Sequence, residues 1–242
     1  MDFVDKRVII TGGSGGLGTD VAKAYLKAGA TVIVPYIYDE KWAELKKESL
    51  SMADNLKGYK VNVTNEEDVK IFFENVVKEF KRIDVLINLV GGFLSGISIV
   101  DMELNQWNKM MDLNMKSAFL CTKYVLPHMI NQKFGKIVNV GSKAGIKGTK
   151  NMAAYAAAKA AVINFTESLA AEVKTHNVNA NVIVPSIIDT EANRKSMPNA
   201  DYSTWLKPES IAKVILFLTS EEAKDITGEV LELVESRFSD HF

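Results

Sequence analysis

A chain of 242 residues is long enough for one large core, and its 29 basic and 30 acidic residues are mixed along the sequence to a net charge of −1, which offers no basic face to nucleic acid. No apolar run approaches the ~18 residues of a membrane-spanning helix, and Met1-Asp-Phe-Val-Asp-Lys-Arg7 lacks a signal-peptide pattern, so a cytoplasmic protein with no membrane partner is expected. Cys121 has no disulfide partner and reads as a packing residue, while His128, His176 and His241 lack metal-ligand spacing, so no metal is expected.

Apolar β-branched runs alternate with amphipathic stretches along the whole chain. That pattern predicts an α/β fold in a single domain, residues 1–242: a doubly wound (Rossmann) parallel sheet of about seven strands with helices on both faces. The first strand, 7–11, runs into a glycine-rich turn and then into a helix at 16–28. A strand at 31–35 and a helix at 39–50 follow. Next come a strand at 58–63 and a helix at 65–80, for which Thr64 with Glu67 three residues on forms a capping-box start. Strands at 83–88, 135–140, 178–184 and 229–234 are separated by helices at 105–131, 152–175 and 208–219. The long irregular stretch from Thr190 to Lys207 lies just beyond a strand's carboxyl end, where ligands bind in this architecture, and about 186–207 is expected to form a substrate loop.

Two segments carry chemistry. In the turn after the first strand, Gly12, Gly16 and Gly18 let the backbone approach a pyrophosphate, and the free N–H groups of the next helix attract the anion. Tyr155 and Lys159 are four residues apart and share a helix face, with Ser142 upstream, so the ammonium is expected to lower the pKa of the phenol towards neutrality. A surface Tyr-Lys pair on an alanine-rich helix is the plain alternative.

Thr11-Gly-Gly-Ser-Gly-Gly-Leu-Gly18, Asn88-Leu-Val-Gly91, the set Asn114, Ser142, Tyr155 and Lys159, Pro185-Ser-Ile-Ile-Asp-Thr190 and Ile226-Thr-Gly-Glu229 occur in an order that resembles the short-chain dehydrogenase/reductase family over nearly the whole chain. The resemblance implies an NAD(P)-dependent oxidoreductase moving hydride between nicotinamide and a small carbonyl or alcohol. Tyr155 would exchange the proton and Ser142 would hydrogen-bond the substrate oxygen. Lys159 would tune Tyr155 and bind ribose hydroxyls, and Asn114 would hold a relay water. It further implies cofactor contacts from Gly12, Ser14, Gly16, Leu17, Gly18, Tyr36, Asn62, Val63, Asn88, Gly91, Pro185, Ile188 and Thr190. Asn62 replaces the family's usual aspartate, and its amide oxygen is expected to accept from the adenine amine.

Cofactor choice stays open between NAD and NADP. Tyr36 stands where NAD-selective relatives carry an acid, and Gly15 and Ile37 stand where NADP-selective ones carry a cation. Asp39 and Glu40 would repel a 2′-phosphate and Lys41 would compensate, which gives a slight lean to NAD. The stretch from Ser186 to Trp205 resembles dihydropteridine reductase locally, although Tyr36 and Ser142 depart from that enzyme. The expected pocket for a small-molecule substrate comprises Phe93, Leu94, Ile97, Ile146, Met152, Ser186, Ile187 and Trp205, mainly apolar. A carbonyl reductase or alcohol dehydrogenase leads. A pteridine reductase, a 3-oxoacyl-carrier-protein reductase and a non-catalytic nucleotide-binding protein are the alternatives. By resemblance, the helices at 105–131 and 152–175 would join copies into a homodimer or homotetramer.

Overall fold

Alternate residues of a strand point to opposite faces, and in the central strands both faces are apolar. In β1 (Arg7–Thr11), Val8 and Ile10 belong to one core layer and Ile9 to the other, all three fully buried. The computed structural model describes residues 1–234, so His241 lies outside the described residues. The other strands are β2 (Thr31–Tyr36), β3 (Leu56–Lys60), β4 (Val85–Asn88), β5 (Gly135–Val140), β6 (Val178–Pro185) and β7 (Val230–Leu233). They form a seven-stranded sheet in the order β3-β2-β1-β4-β5-β6-β7, with every pairing parallel. The direction of strand progression reverses between β1 and β4, and the connections leaving their carboxyl ends part there to open a crevice.

The helices are α1 (Gly16–Lys27), α2 (Asp39–Glu48), α3 (Glu66–Phe80), α4 (Leu104–Met111), α5 (Ser117–Gln132), α6 (Lys143–Ile146), α7 (Ala153–Val173), α8 (Glu191–Ser196) and α9 (Pro208–Thr219). On one face Val21, Tyr25 and Leu26 of α1 pack with Ile211 and Ile215 of α9 against Val8, Ile10, Val32 and Val34. On the other, Phe72, Phe73 and Val76 of α3, Val125 and Met129 of α5 and Leu169 and Val173 of α7 cover Ile9, Ile33, Leu86 and Ile137. Each such side chain contributes about 1.5–3 kcal/mol on full burial, so these two layers carry most of the cohesion that holds the crevice in shape.

Three local expectations are corrected. The third strand begins at Leu56, which pairs with Val32, and ends at Lys60 rather than running from 58 to 63. Asn65, not Thr64, caps α3: its Oδ1 accepts from the Asp68 N–H at 3.1 Å, while Thr64 is turned back onto Asn62. The helix expected at 105–131 is broken by a π turn at Asp112–Lys116, where the buried Asn114 amide reaches out of the helix. The irregular stretch also contains α8, capped by Thr190, whose Oγ1 accepts from the Asn193 N–H at 3.3 Å.

Candidate active site

A cavity of about 900 Å³ occupies the crevice beyond the carboxyl ends of β1, β2 and β4. Its centre is the glycine turn. Gly12 has φ +69, which any side chain would strain, and a Cβ on Gly18 would run into the Gly12 carbonyl, so α1 starts directly against the turn. No side chain caps α1, which leaves its first N–H groups open for an anion. Gly12, Ser14, Gly16, Leu17 and Gly18 line the cavity, and Thr190 abuts Gly16. The turn and the volume, within the ~300–1,000 Å³ range of ligand clefts, fit a dinucleotide.

At one end of the cavity stand Tyr36, Asn62 and Val63. Tyr36 stacks on Trp42 at 5.2 Å with an interplanar angle of 6°, and Trp42 lies so close over Gly58 that a Cβ there would collide with the indole. Trp42 escaped the sequence reading because its partner lies in a different element. Two expectations change here. Asp39 is paired with Lys60, so its charge is not free to repel a phosphate, and Lys41 is held by Glu44 at 2.7 Å. The Asn62 Oδ1, expected to meet an adenine amine, already accepts from the Thr64 N–H at 3.1 Å and its hydroxyl at 2.8 Å.

Towards the middle, Gly91 lies between Asn114 and Lys159: a Cβ on it would be 2.8 Å from the Asn114 Oδ1 and 3.5 Å from the Lys159 Nζ. Asn114 anchors this loop, accepting from the Gly92 N–H at 3.2 Å and donating to the Gly92 carbonyl at 3.1 Å and the Met110 carbonyl at 2.9 Å. Asn88 is committed elsewhere. Its Nδ2 donates to the Asn139 Oδ1 at 2.8 Å, and Asn139 donates to Thr166 at 2.9 Å, a buried chain tying β4 to β5 and α7.

Ser142 ends the loop after β5 and caps α6, its hydroxyl accepting from the Ala144 N–H at 3.3 Å. Tyr155 opens the first turn of α7, edge-on to Phe93 with ring centroids 5.0 Å apart at 79°. Burial raises the Tyr155 pKa above its ordinary value, and a hydrogen bond with Ser142 offsets part of that. Lys159 is 7% exposed and donates to the Val140 carbonyl at 2.8 Å, and burial lowers its pKa to about 8. The expected lowering of the phenol by the ammonium is therefore absent from this structure. Low-dielectric surroundings disfavour both charged forms, and the ammonium is engaged by a backbone carbonyl rather than the phenol.

Of the expected pocket residues, Phe93 is 62% exposed and Leu94 lines the cavity with it, while Ile146 and Ile187 are exposed. Met152 precedes α7 as its N-cap and Ile97 is half-buried. Trp205 is only 5% exposed and packs on Tyr202 at 4.7 Å, within the loop itself. The Ser186 hydroxyl is buried without a partner among the described residues, and Pro185 ends β6 beside Leu233. Ile188 pairs with Leu206 and packs into the core. The sequence reading missed Asp189, which holds Arg194 at 2.5 Å and Lys207 at 2.6 Å and so clamps the loop to the start of α9. It also missed Gln106 and Lys109, which line the cavity from α4. Their spacing carries no signal until α4 is placed beside the crevice.

A parallel sheet reversing at its centre, with a glycine cradle beside a Ser-Tyr-Lys set, defines a class of dinucleotide-dependent enzyme. The family model described as short chain dehydrogenase matches residues 6–201. The chain is 36% identical to the 3-oxoacyl-(acyl-carrier-protein) reductase FabG of Thermotoga maritima, covering 96% of this chain and 97% of that one. Against the enzyme of the same name from Vibrio cholerae it is 34% identical, with the same coverage. Among solved structures, ElxO with NADP bound aligns at a TM-score of 0.88, 32% identity and 94% and 96% coverage of the two chains. NAD+-bound xylitol dehydrogenase aligns at 0.90, 25% identity and 97% and 99% coverage. The chain belongs to the short-chain dehydrogenase/reductase family and is an NAD(P)-dependent oxidoreductase.

Proposed function

We propose that the protein reduces a carbonyl compound to the alcohol, with Tyr155 as the proton donor to the carbonyl oxygen. A bound reduced nicotinamide supplies the hydride. Ser142 donates a hydrogen bond to the same oxygen, as its contact with the phenol supports. Lys159, one helical turn on, stabilises the phenolate left behind and meets the ribose once its ammonium leaves the Val140 carbonyl, and Asn114 holds Gly91 and Gly92 beside it. The observation that carries this reading is a half-buried Tyr155 set edge-on to the exposed ring of Phe93, with Ser142 favouring the charged form of the phenol.

The substrate is an apolar or aromatic carbonyl that rests on Phe93 and Leu94 and is covered by the loop at about 186–207. A second reading, a 3-oxoacyl thioester, is favoured by the related 3-oxoacyl-carrier-protein reductases at 32–36% identity along nearly the whole chain. Oxidation of the reduced cofactor, followed optically with aromatic ketones, 3-oxoacyl thioesters and quinonoid pterin, tests the reading. Ketone or thioester turnover is expected. Turnover of the pterin alone would assign a pteridine reductase, and no turnover of any would assign a binding protein.

The reading extends to a single domain, a cytoplasmic location and a homodimer or homotetramer. Assembly through α5 and α7 is supported by Phe119, 43% exposed on α5 and edge-on to Phe165 of α7 at 6.3 Å. Both nucleotides bind, because among the described residues neither a ribose-binding acid nor an unpaired cation stands beside Tyr36, and Glu40, which forms no ion pair among them, leaves NAD(H) modestly favoured.

A further inference from the structure

The turn that carries Ser142 is fitted to α7 through glycines. Helix α6 is a single turn that begins just after Ser142, and its Gly145 N–H donates to the Ser142 carbonyl at 2.8 Å. That turn rests on α7 one helical turn beyond Tyr155. A Cβ on Gly145 would be 2.7 Å from the Lys159 carbonyl carbon, 2.9 Å from its oxygen and 2.8 Å from the Ala160 nitrogen. These are backbone atoms inside a 21-residue helix, so they cannot turn aside as the tip of a side chain would. The other end of the turn is fitted in the same way. The Gly141 N–H donates to the Ile183 carbonyl at 2.8 Å, and a Cβ on Gly141 would be 3.0 Å from Val184 Cγ2 and 3.1 Å from Ile163 Cγ1. A Cβ on Gly148, in the loop that follows, would meet nothing within 4 Å.

Alanine is the better residue within a helix, so glycine at 145 answers to the closeness of α7 rather than to α6 itself. Carbon contacts are comfortable from about 3.5 Å, so a methyl group at 145 would push the turn off α7 by about 1 Å. Ser142 favours the charged form of the Tyr155 phenol, and a hydrogen bond weakens steeply over such a displacement. We propose that Gly145 is a positioning residue for the carbonyl reduction: its missing side chain seats α6 on the Lys159–Ala160 peptide and so sets Ser142 within reach of the oxygen that Tyr155 protonates. Gly145 touches neither substrate nor nucleotide and acts through Ser142. The assignment rests on the catalytic reading of Ser142 and Tyr155.

The test compares kcat, nucleotide affinity and the pH dependence of turnover in wild type, Gly145→Ala, Ser142→Ala and the double variant, with Tyr155→Phe as reference. The substrate is whichever ketone or 3-oxoacyl thioester the wild type reduces. Gly145→Ala should lower kcat by about tenfold or more while nucleotide affinity stays within about threefold. Reduction needs the protonated phenol, so activity is lost as pH rises past the phenol's pKa. Ser142 lowers that pKa, so displacing it should move the alkaline limb to higher pH, which a merely weakened fold would not do. In the Ser142→Ala background the glycine substitution should change kcat by less than about twofold, because the two residues act as one unit. Gly148→Ala, the same change in open space, should keep kcat within about twofold of wild type. Should Gly145→Ala fail to fold, Ala144→Gly adds no atom, loosens the same turn and should show a smaller loss with the same shift of the alkaline limb. A Gly145→Ala loss that adds in full to that of Ser142→Ala overturns the proposal, as does an unmoved pH profile in the folded variant. Tyr155→Phe turnover near the wild-type rate would overturn the catalytic reading beneath it as well.

Discussion

Lys159 donates to the Val140 carbonyl at 2.8 Å and stands 6.0 Å from the centre of the Tyr155 ring, so its ammonium is tied to the sheet rather than to the phenol. Burial lowers its pKa from 10.5 to about 8. For a lysine depressed on folding, the cost of burial is fully present below the folded pKa and disappears as pH rises past the unfolded one. Lys159→Met should therefore stabilise the fold by up to about 3 kcal/mol at neutral pH and by little above pH ~10.5. Chemical denaturation at pH 7 and near pH ~10.5 checks this. A variant equally or less stable than wild type at pH 7 would show that the Val140 contact outweighs desolvation.

Asp189 holds both Arg194 and Lys207, and these two cations keep its carboxyl far below the usual carboxylate range. A depressed acid contributes stability that is present above its unfolded pKa and is lost as pH falls through the folded one, so the clamp should persist well into acid. Asp189→Asn should free the stretch from 187 to 207 without unfolding the sheet. Amide exchange should quicken across α8, and KM should rise several-fold with kcat changed less. Unaltered exchange in α8 would mean that the Ile188 and Leu206 pairing holds the loop alone.

Most of the sheet was legible because its signals are local. Continuous apolar, mostly β-branched runs mark β1 and β2, glycines at fixed offsets mark the phosphate turn, and the spacing of Tyr155 and Lys159 places both on one helix face. What stayed hidden depends on distant partners. The break at Asp112–Lys116 follows from Asn114 bonding to Gly92, twenty-two positions away in the chain. The Tyr36 and Trp42 stack needs Gly58 of a third element to make room for the indole. Lys60 neutralises Asp39 only because β3 lies beside β2. The pKa of Tyr155 was misread because spacing reports proximity on a helix but not burial.

Cofactor selectivity follows from the rim at Tyr36. With Asp39 paired to Lys60 and Lys41 to Glu44, neither sign of charge dominates there. Tyr36→Asp should give the ribose hydroxyls a charged acceptor and oppose a 2′-phosphate, which moves selectivity towards NADH by about tenfold. Parallel titration of NADH and NADPH against both proteins checks it. A wild-type preference for NADPH above about tenfold would show Lys41 or Lys60 leaving its partner for the phosphate.

The most direct test of the account is Tyr155→Phe, measured for nucleotide affinity and for turnover of whichever carbonyl substrate the wild type reduces. The phenyl ring keeps the edge-on contact with Phe93 and removes only the transferable proton. Nucleotide affinity should stay within about threefold of wild type while kcat falls by about 10²–10⁴. Turnover near the wild-type rate would contradict the assignment of Tyr155 as proton donor.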